Sequence, residues 1–247
     1  MHASWPAEFE TGLIPTDNAL GIMTEELSPA AAAFVAMAAT ATRPILDIGA
    51  AYGNATLPAL AAGATVLAND LSASHLAVLA ESAPSDHRRR LVLLPARFPG
   101  ELPLAEGSLD GILCGLVLHF FDGPGVEQAL AALSRWLAPG RSIYVTVITP
   151  SNSYFRVTRE SYAERVRKGD PWPGILDPRP LHPPRWRRQL PEFVHLFEEE
   201  TLRRLTEAAG FAIETLEYFC FEKFPAHFRT DGREYLTMIA RKPVRQD

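Results

Sequence analysis

The feature that most constrains the fold of this chain is an apolar run that carries an acidic residue and enters a glycine-containing turn. The run Ile45–Ile48 contains Asp47 as its third residue. The turn that follows reads Gly49-Ala50-Ala51-Tyr52-Gly53-Asn54. A second apolar run, Thr65–Asn69, ends immediately before Asp70. Short apolar runs that alternate with helical segments are typical of βαβ units, so we predict a parallel sheet that begins here.

The same alternation continues along the chain and predicts a doubly wound α/β sheet of seven strands. Strands 1 and 4 of this series are nearly all apolar, as expected where helices cover both faces of a sheet. Predicted strands span residues 45–48, 65–69, 91–94, 111–118 and 142–148, and two further runs, 211–219 and 234–241, suit an antiparallel pair at one edge. Predicted helices span residues 29–41, 55–62, about 72–82, 126–137 and 198–209.

One domain with an elaboration accounts for the chain length of 247 residues. We expect residues 1–43 to be a helical lead-in, 44–149 and 196–242 to build the core, and 150–195 to form an inserted cap. Residues 151–190 contain nine basic and four acidic residues, a local charge of +5, together with six prolines. Insertions at the carboxyl edge of a parallel sheet lie beside the ligand crevice.

Composition excludes several classes of protein. A hydrophobic fraction of 47% is that of a globular chain, and the net charge of −5 does not favour nucleic-acid binding. Cys114 and Cys220 lack disulfide or metal-ligand spacing, which suits free thiols in a reducing compartment. No signal peptide is evident and the Ala-rich segment 29–41 is too short to span a bilayer, so we expect a cytoplasmic protein without a membrane partner.

The turn and three later stretches resemble the class I S-adenosylmethionine-dependent methyltransferases, specifically the small-molecule, type 11-like members. The turn fits their acidic-x-Gly-x-x-x-Gly pattern, whereas the G-x-G-x-x-G fingerprint of nicotinamide-binding domains matches only at Gly49. Leu102-Pro103-Leu104 with Gly107-Ser108-Leu109-Asp110 resembles their LPF…GSFD stretch. Residues 133–141 resemble the turn before their fifth strand, and residues 197–211 resemble their late F-x-x-L…AGF helix. This resemblance implies a Rossmann-like fold and S-adenosylmethionine as the cofactor, with S-adenosylhomocysteine as its product.

On that resemblance, the turn and the ends of the neighbouring strands hold the cofactor. Glycines let the backbone approach the ligand, Asp47 faces the ammonium group, and Asp70 accepts hydrogen bonds from the two ribose hydroxyls. Ala51 stands where the family most often has Gly, and residues 95–98 lack the carboxylate that often contacts the adenine amino group. The predicted cofactor-binding residues are Asp47, Gly49, Ala50, Ala51, Gly53, Asn54, Asp70, Leu71, Arg97, Phe98 and Gly115.

Methyl transfer requires alignment of the nucleophile and exclusion of water, and a base only where the acceptor keeps a proton of high pKa. His119, after the fourth predicted strand, is the candidate base; the alternative is that it packs or shapes the site. Aromatic residues of the insertion are candidates for acceptor binding, and the alternative there is a solvated basic face around a small satellite core. These candidates are Tyr154, Tyr162, Trp172 and Trp186.

The expected function is methylation of a small molecule, such as a biosynthetic or secondary metabolite, by a monomer or homodimer. Two alternatives stay open at this point. The first is a methyltransferase that acts on RNA or protein and grips it with the basic insertion, although nucleic acid is the less favoured partner. The second is a non-catalytic cofactor-binding partner. The accepting atom, O, N, C or S, is not specified by the sequence.

Overall fold

The central feature of the computed structural model is a seven-stranded sheet. The structure describes residues 13–15, 22–181, 191–224, 226 and 229–244. Two short strands, β1 (Leu13–Pro15) and β2 (Ile22–Thr24), pair antiparallel ahead of this sheet. The strands of the sheet are β3 (Ile45–Ile48), β4 (Val66–Asp70), β5 (Leu91–Pro95), β6 (Leu109–Gly115), β7 (Leu137–Ile148), β10 (Ala212–Phe219) and β11 (Tyr235–Arg241). Their order is β10-β11-β7-β6-β3-β4-β5, and the pairs from β5 to β7 are parallel.

Helices cover both faces of the sheet. The helices of the described residues are α1 (Pro29–Ala38), α2 (Thr56–Ala61), α3 (Ala73–Ser82), α4 (Gly123–Trp136), α5 (Arg159–Arg167) and α6 (Glu199–Ala208). One core cluster buries α4 and α6 against the sheet, and a second buries α1 and α2 against its other side. β3 is buried along its whole length, which explains its uninterrupted apolar character. The predicted doubly wound sheet of seven strands is therefore confirmed.

Local signals placed most element boundaries correctly. Ser28 caps α1, where the Ala31 N–H donates to its hydroxyl at 3.2 Å, and Ser72 caps α3 in the same way through the His75 N–H. Gly63 and Gly210 follow α2 and α6 with φ of +106° and +84°. The predicted bounds of β3 coincide with those observed.

Two strand boundaries differ from the prediction by three residues or more. β6 was expected to run to Leu118 but ends at Gly115, because Leu116 takes a left-handed conformation with φ of +55°. β7 was expected to begin at Ser142 but begins at Leu137, which pairs with Leu109 of β6. Leu118, where the predicted strand ended, is the first residue of a 3-10 turn over residues 118–120.

The insertion between β7 and α6 forms a small layer of its own. It contains α5 and two short antiparallel strands, β8 (Ile175–Leu176) and β9 (Val194–His195), which do not join the main sheet. Phe155, Val194 and Leu196 form its buried cluster. Cys114 is a buried free thiol, as predicted, and Cys220 is also free. No helix among the described residues has both the length and the apolar character needed to cross a membrane.

Candidate active site

A cleft of about 440 Å³ opens at the carboxyl edge of the parallel strands. Clefts at this edge are where open α/β sheets bind ligands, and the volume lies in the range of small-molecule sites. The cleft gathers ten of the eleven residues predicted to bind the cofactor. These are Asp47, Gly49, Ala50, Ala51, Asn54, Asp70, Leu71, Arg97, Phe98 and Gly115.

The turn after β3 forms the floor of the cleft. Gly49 has φ of +71°, and a Cβ there would lie 2.5 Å from Val117 Cγ2, so only glycine fits. Ala51 has φ of +45°, a conformation that costs an L-residue roughly 1–2 kcal/mol. Its strained backbone is held by the Ala51 N–H, which donates to Asp70 Oδ2 at 3.0 Å. The departure from glycine at position 51 thus leaves the turn intact.

Gly53 is the predicted cofactor residue that does not line the cleft. It has φ of +89°, and a Cβ there would lie 2.0 Å from Leu79 Cδ1 in α3. The approach of α3 to the turn therefore requires glycine at this position. The turn motif does not reveal the contact with Leu79, which depends on tertiary packing, and the predicted cofactor role of Gly53 stays a prediction.

Asp70 ends β4 with its carboxylate held by the backbone. Oδ2 accepts the Ala51 N–H, and Oδ1 accepts the Ser72 N–H at 2.8 Å. The imidazole Nδ1 of His75, a residue 2% exposed, lies 3.3 Å from Oδ1. The two N–H groups use two of the roughly four acceptor positions of a carboxylate, and His75 Nδ1 makes no hydrogen bond to it, so Asp70 keeps capacity for two further donors.

Asp47 is a buried acid in the floor of the same cleft. The pKa of its carboxyl is raised from 3.8 to about 7, mainly by burial; the hydrogen bond from the Thr56 hydroxyl at 2.7 Å opposes the rise, and the nearby charge of Asp70 contributes to it. A buried carboxyl of this kind favours a cation beside it, because a positive charge would offset the cost of burying the negative one.

The raised pKa of Asp47 makes stability depend on pH. The folded protein binds this proton more tightly than the unfolded chain, so the contribution is full below pH 3.8 and is lost as pH rises towards 7. At about 1.4 kcal/mol per pKa unit, the ligand-free protein loses up to a few kcal/mol across this window. We expect urea titrations from pH 4 to pH 8 to show this loss in the wild type and not in Asp47→Asn.

The matched control for that series is Asp86→Asn, because the Asp86 side chain is 75% exposed. This variant should follow the wild-type pH dependence. Parallel stability curves for the wild type and Asp47→Asn between pH 4 and pH 7 would contradict the assignment of a raised pKa to Asp47.

The segment before α1 forms a wall of the cleft that sequence reasoning missed. Thr24, Glu26, Leu27 and Ser28 line the cleft, together with Ala31 in the first turn of α1. Long-range hydrogen bonds place this wall. Asn54 Nδ2 donates to the Thr24 carbonyl at 2.6 Å, the Ser28 and Thr146 hydroxyls lie 2.8 Å apart, and Glu26 accepts the Glu222 and Lys223 N–H groups at 3.2 and 2.9 Å. The only signal in the sequence was the capping role of Ser28.

His119 is not among the lining residues of the cleft. It is 8% exposed in the 3-10 turn after β6, and burial, with a smaller contribution from His195, lowers its pKa to about 3. Its imidazole is therefore neutral at pH 7 and weakly basic. A base role for His119 stays a prediction, and the neighbouring Phe120 and Phe121 line the cleft in its place.

The aromatic residues of the insertion also lie away from the cleft, within the part of the chain that the structure describes. Tyr162 borders a separate surface cavity beside Arg159 and Glu198. Trp172 packs against Gly123 and against Arg204, whose guanidinium lies 5.5 Å from the ring centroid. Tyr154 packs against the satellite cluster of the insertion. Trp186 lies outside the described residues.

The end of the cleft beside β5 has a mixed character. Arg97 is exposed, and its backbone N–H donates to Glu101 Oε2 at 2.8 Å. Phe98 is 7% exposed and meets Phe121 and Trp136 edge-on, with ring centroids 5.7 and 6.1 Å apart. Phe98 is therefore mainly a core residue with one edge at the cleft.

Comparisons with known proteins agree with this geometry. Residues 46–145 match the family model described as a methyltransferase domain. No curated protein matches the chain in sequence. An S-adenosylmethionine-dependent methyltransferase from Methanosarcina mazei is 18% identical with a TM-score of 0.63, over 82% of this chain and 93% of that one.

Two further solved structures share the fold. The 1,6-didemethyltoxoflavin N1-methyltransferase of Burkholderia thailandensis, solved with that compound and S-adenosylhomocysteine, is 22% identical with a TM-score of 0.59, over 87% of this chain and 77% of that one. A glycopeptide N-methyltransferase solved with S-adenosylmethionine is 18% identical with a TM-score of 0.56, over 86% and 92%. The match of residues 46–145 to a methyltransferase-domain model and the shared strand order show that this chain has the fold of these S-adenosylmethionine-dependent methyltransferases.

Proposed function

We propose that this protein binds S-adenosylmethionine in the cleft and transfers its methyl group to a small molecule. The observation that carries the proposal is the convergence of ten predicted cofactor residues on one cleft of about 440 Å³. The residues present suit the cofactor. Gly49 leaves the floor free of a side chain, Asp47 is a buried acid suited to an ammonium group, and Asp70 has acceptor capacity for ribose hydroxyls.

In this proposal the protein binds and aligns the reactants, because bound S-adenosylmethionine supplies an activated methyl group. Asp47 holds the ammonium and Asp70 the ribose. The wall before α1 excludes water from the cleft. It is held in place by the hydrogen bond between the Ser28 and Thr146 hydroxyls and by those from the backbone N–H groups of residues 222–223 to Glu26. No step requires a base unless the acceptor keeps a proton of high pKa.

Two observations support a small acceptor over RNA or protein. S-adenosylmethionine would fill much of a cleft of about 440 Å³, and the space left beside it suits a small molecule. Several basic side chains of the insertion are engaged in ion pairs: Arg165 with Asp170, Lys168 with Glu164, Arg179 with Asp177 and Arg159 with Asp231. The acceptors named for two structural relatives, 1,6-didemethyltoxoflavin and a glycopeptide, also lie outside the nucleic acids.

The test is calorimetric titration with S-adenosylhomocysteine, followed by S-adenosylmethionine turnover against small-molecule, RNA and protein acceptor panels. We expect micromolar binding and turnover with a small molecule. Binding without turnover on any panel would favour a non-catalytic partner. Turnover on RNA that falls steeply with salt would favour the macromolecular alternative. No binding by the folded protein would overturn the proposal.

A further inference from the structure

Phe120 presents an exposed aromatic ring to the cleft. It is 37% exposed, whereas its neighbours Leu118 and His119 are buried. Single exposed apolar residues are common on protein surfaces and need no explanation there. Phe120 differs because it lines the same cavity as the proposed cofactor residues.

The strand order places Phe120 on one side of the proposed cofactor site. Along the carboxyl edge, β5 and β4 lie to one side of β3, and β6 and β7 lie to the other. Asp70 and Arg97 follow β4 and β5, whereas Leu116, Val117 and Phe120 follow β6. Leu27 and Phe221 also line the cleft. They are the sequence neighbours of Glu26 and Glu222, which are joined by a hydrogen bond. The side of the cleft next to β6 and β7 is therefore rich in apolar and aromatic side chains, and we call it the apolar side.

Ionisable side chains are concentrated on the other side of the cleft or are already engaged. Among the described residues of the lining they are Glu26, Asp47, Asp70, His75 and Arg97. Asp47 lies on β3, and Asp70, His75 and Arg97 lie on or after β4 and β5. Only Glu26 belongs to the apolar side, and its two carboxylate oxygens accept the Glu222 and Lys223 N–H groups. On the apolar side, an anionic acceptor would find no cationic partner among these residues, and a cationic acceptor would find only Glu26, whose oxygens are engaged.

We propose that the acceptor side of the cleft takes a small, planar, uncharged aromatic molecule that stacks on Phe120. This inference rests on the proposed function and names the chemical class of its acceptor. An offset stack on an exposed phenyl ring favours flat molecules over puckered ones, because only a flat face contacts the whole ring. The apolar side of the described lining has no cationic side chain, which disfavours phosphorylated or carboxylated molecules, because they would lose hydration there without a partner.

The experiment titrates three probes into protein saturated with S-adenosylhomocysteine and follows binding by ligand-observed NMR. The probes are 2-naphthol, its saturated counterpart decahydro-2-naphthol, and the anionic 2-naphthyl phosphate. We expect 2-naphthol to bind at least about fivefold more tightly than the other two, as a stacking contribution of roughly 1 kcal/mol or more would give. Phe120→Ala should weaken 2-naphthol binding by about fivefold or more, and Phe120→Tyr, which keeps the ring, should restore it.

The control is Val157→Ala, because Val157 is 68% exposed and lies outside the cleft lining. It should bind 2-naphthol as the wild type does. Equal binding of decahydro-2-naphthol, tighter binding of 2-naphthyl phosphate, or an unchanged affinity in Phe120→Ala would overturn the inference. S-adenosylhomocysteine binding without 2-naphthol binding overturns this inference alone, whereas a wild type that binds no S-adenosylhomocysteine overturns the proposed function and this inference with it.

Discussion

Asp70→Asn should weaken S-adenosylhomocysteine binding by roughly 100-fold or more while the protein stays folded. The substitution removes the negative charge and half of the acceptor capacity that would serve two ribose hydroxyls. Hydrogen bonds to a charged group contribute about 1.5–3 kcal/mol each, so the loss of one to two of them accounts for this magnitude. Calorimetric titration measures the affinity, and circular dichroism checks the fold.

A truncated ligand separates the role of Asp70 from that of Asp47. 5′-Methylthioadenosine keeps the ribose and adenine of S-adenosylhomocysteine but lacks its amino-acid group. If Asp70 holds the ribose, Asp70→Asn should weaken both ligands by the same factor. If Asp47 holds the ammonium, Asp47→Asn should weaken only S-adenosylhomocysteine. An Asp70→Asn protein that binds S-adenosylhomocysteine within threefold of the wild type would refute the ribose assignment.

The sheet was predictable from sequence because its signals are local. The apolar run 45–48 is flanked by turn residues and is buried on both faces, so its period and length identify it without tertiary information. The Ser28 and Ser72 side chains accept hydrogen bonds from N–H groups three residues further along the chain. Because this interaction is local, the prediction that they cap helices was also correct. The start of β7 was wrong because Leu137 is held in the strand by a partner in β6, Leu109, a contact that a Pro-Gly turn signal at 139–140 does not reveal.

The candidate site was only half predictable for the same reason. The turn and the strand ends carry a motif, and the structure brings them together. The wall before α1 carries no motif. It is positioned by hydrogen bonds of Ser28 with Thr146 and of Glu26 with Lys223, and each pair is separated by more than a hundred residues of chain. The aromatic residues of the insertion looked like acceptor contacts by composition, yet Trp172 covers Gly123 at the start of α4. Composition indicates what a segment can contact and leaves open which way it faces.

Gly53→Ala should lower the unfolding free energy by about 3 kcal/mol, combining a left-handed backbone penalty of roughly 1–2 kcal/mol with a collision that costs about 1–3 kcal/mol. The collision is with Leu79, whose Cδ1 would lie 2.0 Å from the new Cβ. Gly63→Ala is the matched control, because Gly63 has φ of +106° and a Cβ there would meet no described atom within 4 Å, so this variant should lose only about 1 kcal/mol. Urea denaturation of both variants measures the difference.

In a Leu79→Ala background the cost of Gly53→Ala should fall to about 1 kcal/mol, as a double-mutant cycle would record. The S-adenosylhomocysteine affinity of the double variant should equal that of Leu79→Ala alone, because Gly53 is not among the residues that line the cleft. A loss of affinity that persists in that background would instead mean that the ligand itself requires glycine at position 53.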